Sequence, residues 1–365
     1  MPQRSYSFGQ QVWQRLKKRK AAFISLLVIF FAILVAIFGY VIAPDNTPYA
    51  DLQTVEIQAR KPGYQQLFLK IPNNKLPEGN AISHFFNGKP SAYNYLPISS
   101  YSIEDNEIVV QKYVDEDTTV AQHYNIGALT NNNPAAIQNN IVTKKYRLGT
   151  DAFGRDILSR IIIGTRVSLA VGLIAVIISL FIGTLLGAIA GYYRGWVDEV
   201  IMWLVNVTWS IPTLLLVFAI TMAMGKGFWQ IFIAVGLTMW VSVARLVRGQ
   251  VIAIRELEYV QAAKALGFNN SRIIMRHILP NILGPLLVIA AGNFATAIII
   301  EAGLSFLGIG VQPPQPSWGL MIKENYNFII TNNPMLALIP GFAIMILVLA
   351  FNLLGNGLRD AVDVK

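Results

Sequence analysis

Six long apolar stretches constrain the fold of this chain more than any other feature. They meet or approach the ~20 residues that a helix needs to cross a hydrocarbon core about 30 Å thick. None of them contains Asp, Glu, Lys or Arg; they are Ala21–Ala43, Val167–Tyr193, Val200–Met224, Gly227–Ala244, Asn281–Ile300 and Pro334–Leu358. The first is longer than the apolar region of a signal peptide, about 7–15 residues, and is expected to remain as an anchor. The pattern predicts an all-α integral membrane protein with six transmembrane helices.

The composition excludes most other classes of protein. Charged residues make up 13% of the chain and hydrophobic residues 54%, whereas a soluble domain carries about a quarter charged residues. The chain has no cysteine, which excludes disulfides, iron–sulfur clusters and thiolate zinc sites. Its three histidines are scattered along the sequence, which argues against a metal centre built from imidazoles. We therefore expect no metal and no other cofactor in this chain.

Lysines and arginines flank the apolar stretches unevenly. A basic cluster without acids precedes the first stretch, formed by Arg4, Arg15 and residues 17–20. The loop between the fourth and fifth stretches carries six basic residues against Glu256 and Glu258; the six are Arg245, Arg248, Arg255, Lys264, Arg272 and Arg276. The positive-inside rule places such segments in the cytoplasm, so both termini of this multi-pass protein are expected there. The net charge of +9 then mainly reflects basic residues that orient the chain in the membrane. The expected partner is therefore the lipid membrane, and no nucleic acid is expected.

The segment between the first and second stretches, residues 44–166, is then expected to lie outside the cytoplasm. It contains 12 Lys and Arg and 12 Asp and Glu, so it is neutral overall. Residues Glu107–Val114 have partial strand character, and Asn131–Pro134 is typical of a turn or loop. We expect a small ordered extracytoplasmic module with short strands; a largely disordered insertion is the alternative.

The basic loop contains the most informative segment, residues 255–280. Strong helix formers predict a short helix over Glu256–Leu266 that Gly267 ends, and a basic helix over Arg272–Leu279 after a cap near Asn269. Val260, Ala263 and Gly267 share one stripe of small side chains at helical spacing. Such a stripe is typical of a surface that another backbone approaches closely. The alternative is an amphipathic helix that lies on anionic lipid.

The same segment resembles the EAA loop of ABC importer permeases. The positions that match the pattern are Ala262, Ala263, Gly267, Leu279 and Pro280. Gln261 occupies the first position of the pattern, and the acidic residue Glu258 lies one turn before it. Two positions depart from the pattern, because Gln261 replaces an acidic residue and His277 replaces an isoleucine. The resemblance implies that this loop, within residues 250–280, is the coupling helix that fits a cleft on an ATP-binding subunit.

Further segments resemble the C-type permeases of oligopeptide, dipeptide and nickel importers; they are Leu148–Arg160, Gly191–Asp198, Leu304–Gly319 and Phe351–Asp360. The resemblance implies a six-helix ABC importer permease of the bacterial inner membrane that transports peptides. It also implies the partners: a second homologous permease, two ATP-binding subunits that hold ATP and Mg²⁺, and an extracytoplasmic solute-binding protein. The expected organisation is 1–43 as the basic N-terminus and first helix, 44–147 as the inserted module, and 148–365 as a five-helix core. Nickel or another small solute is the alternative cargo.

Polar residues in or beside the apolar stretches could line a translocation pathway or could satisfy backbone groups locally. The candidates are Asn206, Ser210, Thr213, Asn293, Thr296 and Glu301. Pro212 is expected to kink the third helix, because proline has no N–H to donate. Gly183, Gly187 and Gly191 form a ladder typical of close helix packing.

The sequence gives no sign of catalysis. It contains no Gly-x-x-x-x-Gly-Lys-Ser/Thr motif for nucleotide phosphates, and no arrangement of nucleophile and base is legible. Asp151 and Asp156 supply too few oxygens for the six to eight that calcium prefers, so Asp156 is expected to cap a helix instead. We expect a non-enzymatic transport subunit; a membrane scaffold that recruits a cytoplasmic partner is the alternative from another class.

Overall fold

The computed structural model describes residues 8–73, 80–104, 106–130, 134–225, 227–331 and 333–362. The chain divides into two compact units. The first consists of the described parts of Met1–Ile33, Ser168–Gln312 and Ala343–Lys365, and the second of Leu34–Val167 and Pro313–Phe342.

Thirteen α-helices and five strands lie within the described residues. The helices are α1 (Phe8–Lys18), α2 (Lys20–Ile42), α3 (Ala81–Asn87), α4 (Ile126–Thr130), α5 (Ile157–Tyr193), α6 (Gly195–Ser210), α7 (Thr213–Met224), α8 (Phe228–Arg255), α9 (Glu258–Ala265), α10 (Asn270–Ile273), α11 (Leu283–Phe306), α12 (Trp318–Asn325) and α13 (Met335–Val362). The strands are β1 (Tyr64–Pro72), β2 (Tyr93–Glu104), β3 (Glu107–Tyr113), β4 (Thr119–Asn125) and β5 (Ile141–Tyr146).

Membrane-spanning helices dominate the fold, as the sequence predicts. In the described part of the chain, α2, α5, α8, the helical segment Asn270–Phe306 and α13 are each long and apolar enough to cross a membrane. The sixth candidate is the pair α6 and α7, which pass the same test only when they are taken together. The prediction that the membrane-spanning part of the chain is helical is therefore confirmed.

The third predicted span is broken into two helices, α6 and α7, and is not a single kinked helix. Between α6 and α7 the chain bends by 95°, and Ile211 adopts an extended conformation with φ −91° and ψ 128°. Pro212 explains the break, because its ring disfavours a helical conformation in the residue before it and it cannot donate to the helical ladder. The expected kink at Pro212 is thus a complete interruption of the helix.

The start of α5 also differs from the prediction. The helix begins at Ile157, ten residues before the predicted span, and continues without a break to Tyr193. The Asp156 carboxylate caps it by accepting a hydrogen bond of 2.9 Å from the Ser159 N–H, which confirms the expected cap. The helix that Asp156 is predicted to cap is therefore the first part of the membrane helix.

In the first unit, the glycine ladder of α5 packs against α8. A Cβ atom on Gly187 would lie 2.5 Å from the Ala244 carbonyl oxygen, and one on Gly183 would lie 2.5 Å from the Val243 Cβ. A Cβ on Gly191 would lie 2.8 Å from the Arg248 carbonyl oxygen. These distances are too short for any side chain, so the two backbones approach each other closely along the whole ladder, as the sequence predicts.

The second unit contains an antiparallel sheet with strand order β4-β3-β2-β1-β5. Strand β3 confirms the strand character of Glu107–Val114. One face of the sheet covers an apolar core that includes Leu69, Ile98 and Ile108, and Ile126 of α4 joins it. The predicted turn at Asn131–Asn133 falls outside the described residues. The 44–147 segment thus holds an ordered sheet with its own hydrophobic core.

A buried group of charges lies before and within α5. The guanidinium of Arg155 binds the carboxylates of Asp151 at 2.7 Å, Asp51 at 3.1 Å and Glu324 at 2.6 Å. Arg160 lies 3.2 Å from Glu324. We call these five residues the buried ionic cluster. Asp151 is engaged by arginine, and the described residues hold no group of three or more His, Cys, Asp or Glu side chains that could bind a metal.

Candidate coupling loop and polar span residues

The loop after α8 begins with α9, whose end is fixed by a glycine. Gly267 has φ +78°, a left-handed conformation that glycine adopts without steric cost. The Gly267 N–H donates to the Lys264 carbonyl at 3.0 Å and the Phe268 N–H to the Ala263 carbonyl at 3.1 Å. These two bonds form a Schellman motif, which confirms the predicted helix end.

Two of the three stripe residues face the chain's own core, whereas Gly267 is exposed and a Cβ atom there would meet nothing within 4 Å. Val260 and Ala263 are 2% and 4% exposed, and they pack in one cluster with Val247 and Val251 of α8 and with Ile273. Side chains of α8 and of the segment after α9 therefore cover these two residues. The expectation that Ala263 lies on a surface open to another protein is wrong, because packing within the chain already covers it.

The opposite side of α9 is open. Glu258, Gln261, Ala262 and Gly267 are exposed, and Leu266 is 75% exposed. The rest of this chain therefore leaves Leu266 largely uncovered. We call this side of α9 the exposed α9 face.

The second half of the loop departs from the predicted helix over Arg272–Leu279. The Asn269 side chain caps α10 by accepting from the Ser271 N–H at 2.8 Å. The chain then widens into a π-helical turn at Ile274–Ile278 and tightens into a 3₁₀ turn at Leu279–Ile282. Pro280, which is exposed, cannot donate a backbone hydrogen bond, so the regular helical ladder does not continue through it.

Polar contacts anchor the loop to the end of α5. The Tyr192 hydroxyl donates to the Asn270 Oδ1 atom at 2.8 Å, and the Arg255 Nη1 atom donates to the Tyr192 carbonyl at 2.6 Å. Sequence reasoning missed these anchors; the only available signal was a tyrosine at the end of one span and an arginine at the end of another. They join the start and the middle of the loop to the same helix end.

An ion pair joins the first turn of α6, which follows the end of α5, to α8. The Arg248 Nε and Nη2 atoms donate to the two carboxylate oxygens of Asp198 at 2.5 Å and 2.6 Å. Such a two-point contact is among the stronger and more directional pairs in proteins. Asp198 lies in the first turn of α6, where a negative charge is also favoured by the helix dipole.

Four of the six candidate pathway residues have exposed side chains. Asn206 accepts a hydrogen bond from the Arg245 Nη2 atom at 2.7 Å. Ser210 and Thr296 donate to backbone carbonyls of their own helices, at 2.7 Å and 3.0 Å. Thr213 is the first residue of α7, directly after the break at Pro212. These four side chains stay available for a pathway, although two of the hydroxyls are satisfied locally.

The other two candidates are buried in α11, which favours the alternative that they satisfy polar groups within the chain. Glu301 is fully buried and Asn293 is 8% exposed. The Ser305 hydroxyl donates to the Glu301 Oε1 atom at 2.7 Å and accepts from the Val311 N–H at 3.0 Å. Glu301 thus stabilises the turn after α11, and neither side chain borders an open surface of this chain.

Comparison with known protein families gives two matches. The sequence profile described as the binding-protein-dependent transport system inner membrane component matches residues 183–365. The profile described as the N-terminal TM domain of oligopeptide transport permease C matches residues 7–62. Residues 63–182, which include the β-sheet, lie outside both matches.

Individual relatives agree with the profiles. The dipeptide transport system permease protein DppC of Alkalihalophilus pseudofirmus is 48% identical over 60% of this chain and 72% of its own length. The glutathione transport system permease protein GsiD of Pectobacterium atrosepticum is 44% identical over 60% of this chain and 72% of its own. The oligopeptide transport system permease protein OppC of Bacillus subtilis is 40% identical over 61% of this chain and 73% of its own.

Among solved structures, the inward-facing MetNI methionine ABC transporter aligns with a TM-score of 0.47 and 19% identity, over 56% of this chain and 97% of that chain. Membership of the family follows from the profile over residues 183–365 and from the relatives, which share more than 40% identity in two cases. The chain belongs to the family of binding-protein-dependent transport system inner membrane components, the permeases of ABC importers.

Proposed function

We propose that this permease forms part of the translocation pathway of an ATP-driven importer of short peptides. The observation that carries the proposal is the identity shared with three permeases whose names refer to dipeptides, oligopeptides and glutathione. A second permease, two ATP-binding subunits and a solute-binding protein complete the transporter. ATP hydrolysis belongs to the partner subunits, in keeping with the absence of a P-loop motif from this sequence.

Uptake measurements test the cargo. Cells that lack this chain should fail to accumulate a labelled dipeptide, and the full-length gene should restore uptake. Nickel uptake, measured in the same cells, should be unchanged by the deletion. A strain that loses nickel uptake but keeps dipeptide uptake would assign the permease to the other cargo.

We infer that the ATP-binding subunit docks on the exposed α9 face. This side of α9 presents Leu266 and Ala262 to solvent, while the Ala263 side is buried against α8. Three further exposed positions of the EAA-like segment, Glu258, Gln261 and Gly267, lie on the same helix or within two residues of its end. Thr296 and the three exposed polar residues at the α6–α7 break are proposed to border the pathway.

Leu266→Asp should weaken binding of the ATP-binding subunit about thirtyfold, because a central apolar contact in an interface contributes about 2 kcal/mol. Affinity is measured by titrating purified ATP-binding subunit onto the permease in nanodiscs, and coupling by peptide-stimulated ATP hydrolysis. Since Leu266 makes little contact with its own chain, insertion and folding should be unaffected.

Trp13→Asp serves as the matched control for that substitution. Trp13 is 44% exposed and lies on α1, on the same proposed side of the membrane but outside the loop. Its substitution should leave affinity and coupling at the parental values. If Leu266→Asp and Trp13→Asp bind the ATP-binding subunit equally well, the exposed α9 face is not the docking surface.

We propose that the loop 256–282 and both termini are cytoplasmic and that the β-sheet is extracytoplasmic. The chain has no cysteine, so single cysteines report on topology directly. Asn106→Cys, between β2 and β3, should react with a membrane-impermeant maleimide in intact cells, whereas Lys264→Cys should react only after permeabilisation. Both positions are exposed. Labelling of Lys264→Cys in intact cells would reverse the proposed orientation.

A further inference from the structure

The short helix α3 packs against the end of the first membrane helix. The rings of Phe85 in α3 and Phe38 in α2 meet edge to face with centroids 5.9 Å apart. Phe38 lies four residues before the end of α2, which places it about 6 Å from that end at 1.5 Å per residue. Because α2 is long and apolar enough to cross a membrane, this contact places α3 beside the end of a candidate span.

Helix α3 is held at this level on its other side as well. The Arg166 Nη1 atom donates to the Phe86 carbonyl at 2.6 Å, and the Lys89 N–H donates to the Asn46 carbonyl at 2.9 Å. Fixed in this way, α3 leaves two large apolar side chains uncovered: Ile82 is 75% exposed and Phe86 is 50% exposed. Uncovered apolar residues on a helix at the edge of the hydrocarbon are typical of segments that lie in the membrane interface.

A cleft near the end of α3 is lined by the lysines Lys89, Lys144 and Lys145 and by the carboxylates Asp45 and Asp156. It consists of two cavities of about 260 Å³ and 150 Å³ that share Pro44, Lys144 and Asp45 as lining residues. Lys89 and Tyr95 line the larger one. Pro44 follows the end of α2 by two residues, so the cleft opens where the chain leaves the membrane.

The cations of this cleft lack close anionic partners. Within the described residues, no carboxylate lies within 4.0 Å of the Lys89 or Lys144 ammonium, as the ion pairs show. The Lys144 Nζ atom lies instead over the Tyr95 ring, 3.2 Å from its centroid. The Asp45 carboxylate accepts the Thr47 and Leu52 N–H groups, at 3.0 Å and 3.2 Å. The cleft is thus suited to an incoming anion.

We propose that α3 and this cleft form a lipid site, in which Ile82 and Phe86 enter the bilayer and Lys89 and Lys144 bind the phosphate of an anionic phospholipid. Lys89 follows α3 by two residues and shares the cleft with Lys144, so the apolar helix and the cations match the acyl and phosphate parts of one lipid molecule. The site fixes the β-sheet of residues 64–146 to the surface of the leaflet on its own side of the membrane. It does not depend on which cargo the permease carries.

The charge state of Lys144 gives the site a dependence on pH. Burial lowers the pKa of Lys144 to about 8; Asp45 and Asp156 oppose this shift, whereas Lys70 adds to it. The ammonium that binds phosphate is the protonated form, so binding should be full well below pH 8 and should fall as the pH rises through 8. A bound phosphate would raise this pKa, because an adjacent anion favours the charged ammonium.

The apolar contact is tested with the full-length chain in nanodiscs. Ile82→Cys, labelled with an environment-sensitive fluorophore, should be quenched by doxyl-labelled phosphatidylcholine. The matched control is Val120→Cys on β4, which is 47% exposed and should remain unquenched. If the label at Ile82 is quenched no more than the label at Val120, α3 does not enter the bilayer and the proposal is wrong.

The headgroup contact is tested by native mass spectrometry of the detergent-solubilised full-length protein titrated with phosphatidylglycerol. Lys89→Met and Lys144→Met should each weaken retention of this lipid about fivefold, the effect expected for one cation near an anionic surface. Lys144→Arg should retain it, and Lys61→Met, at an exposed lysine outside the cleft, should have no effect. Unchanged retention in both methionine variants would overturn the proposal. Competition by free glycerol phosphate as strong as that by the lipid would overturn the lipid assignment and identify a soluble phosphate as the ligand.

Discussion

Arg155→Met should lower the free energy of unfolding by about 3–5 kcal/mol, the usual cost of removing one partner from a buried ion pair. The Arg155 side chain is 2% exposed and contacts three carboxylates, of which Asp151 is fully buried. Methionine fills much of the same volume but leaves these carboxylates with Arg160 as the remaining cation of the buried ionic cluster. Unfolding in mixed micelles with increasing SDS measures the loss.

The control for this prediction is Arg19→Met. Arg19 pairs with Asp360 at 3.2 Å, but both side chains are about half exposed or more, and an exposed pair contributes about 0–1 kcal/mol. Equal unfolding midpoints for the two variants would contradict the importance of the buried ionic cluster.

The loss caused by Arg155→Met should depend on pH. Burial raises the pKa of Glu324 above its usual value, even though Arg160 and Arg155 oppose the shift. Removing Arg155 removes part of that opposition, so the pKa of Glu324 in the variant should rise further. A carboxylate with a raised pKa favours the folded state at low pH and loses this contribution as the pH rises through the folded pKa. The difference in the free energy of unfolding between the variant and the parent should therefore be smaller near pH 4.5 than at neutral pH.

The same cluster explains why the start of α5 could not be predicted. A charge-free stretch is a sound criterion for a span, and it excluded residues 157–166 because Arg160 and Arg166 lie there. Arg160 is nevertheless fully buried in the helix, since Glu324 neutralises it across a separation of 164 residues. A pairing between positions so far apart leaves no local pattern in the sequence.

The β-sheet also depends on pairings between distant positions that the sequence does not reveal locally. Strand β3 has the run Ile-Val-Val, which predicts a strand, whereas the Gln, Lys and Tyr residues of β1 and β5 obscure their strand character. Their pairing, with Tyr64 opposite Tyr146, joins segments about eighty residues apart. The sequence was enough to expect a small folded module in this segment. It was not enough to predict the arrangement of the strands in the sheet.

In the loop 256–282 the sequence predicts which residues of α9 share a packed face, but it does not predict what packs against that face. Helical spacing identified Val260 and Ala263 as one tightly packed face, and Gly267 as the residue that ends the helix, and both features are present. A stripe of small residues shows only that some backbone comes close. It cannot distinguish α8 of the same chain from another protein, and for this reason the exposed position of Leu266 became apparent only in the structure.

Gly187→Leu should destabilise the first unit by about 3 kcal/mol, at the upper end of the range for overpacked cores. The new Cβ would lie 2.5 Å from the Ala244 carbonyl oxygen and 2.9 Å from the Val247 Cβ. The nearest atom belongs to backbone, so no change of rotamer can relieve the clash, and α5 and α8 must separate. The effect is measured by heating the purified protein and monitoring its unfolding by size-exclusion chromatography.

Gly249→Leu is the control on α8, because a Cβ atom at Gly249 would meet nothing within 4 Å. Both variants introduce the same side chain into the same helix pair, so a difference between them reports the close approach rather than helix propensity. Val247 also packs against Val260 and Ala263 of α9, and a shift of α8 should therefore displace the loop. Gly187→Leu should thus reduce peptide-stimulated ATP hydrolysis even at temperatures where it remains folded, whereas Gly249→Leu should not. If both variants unfold at the parental temperature, the backbones of α5 and α8 are not in the close contact described above.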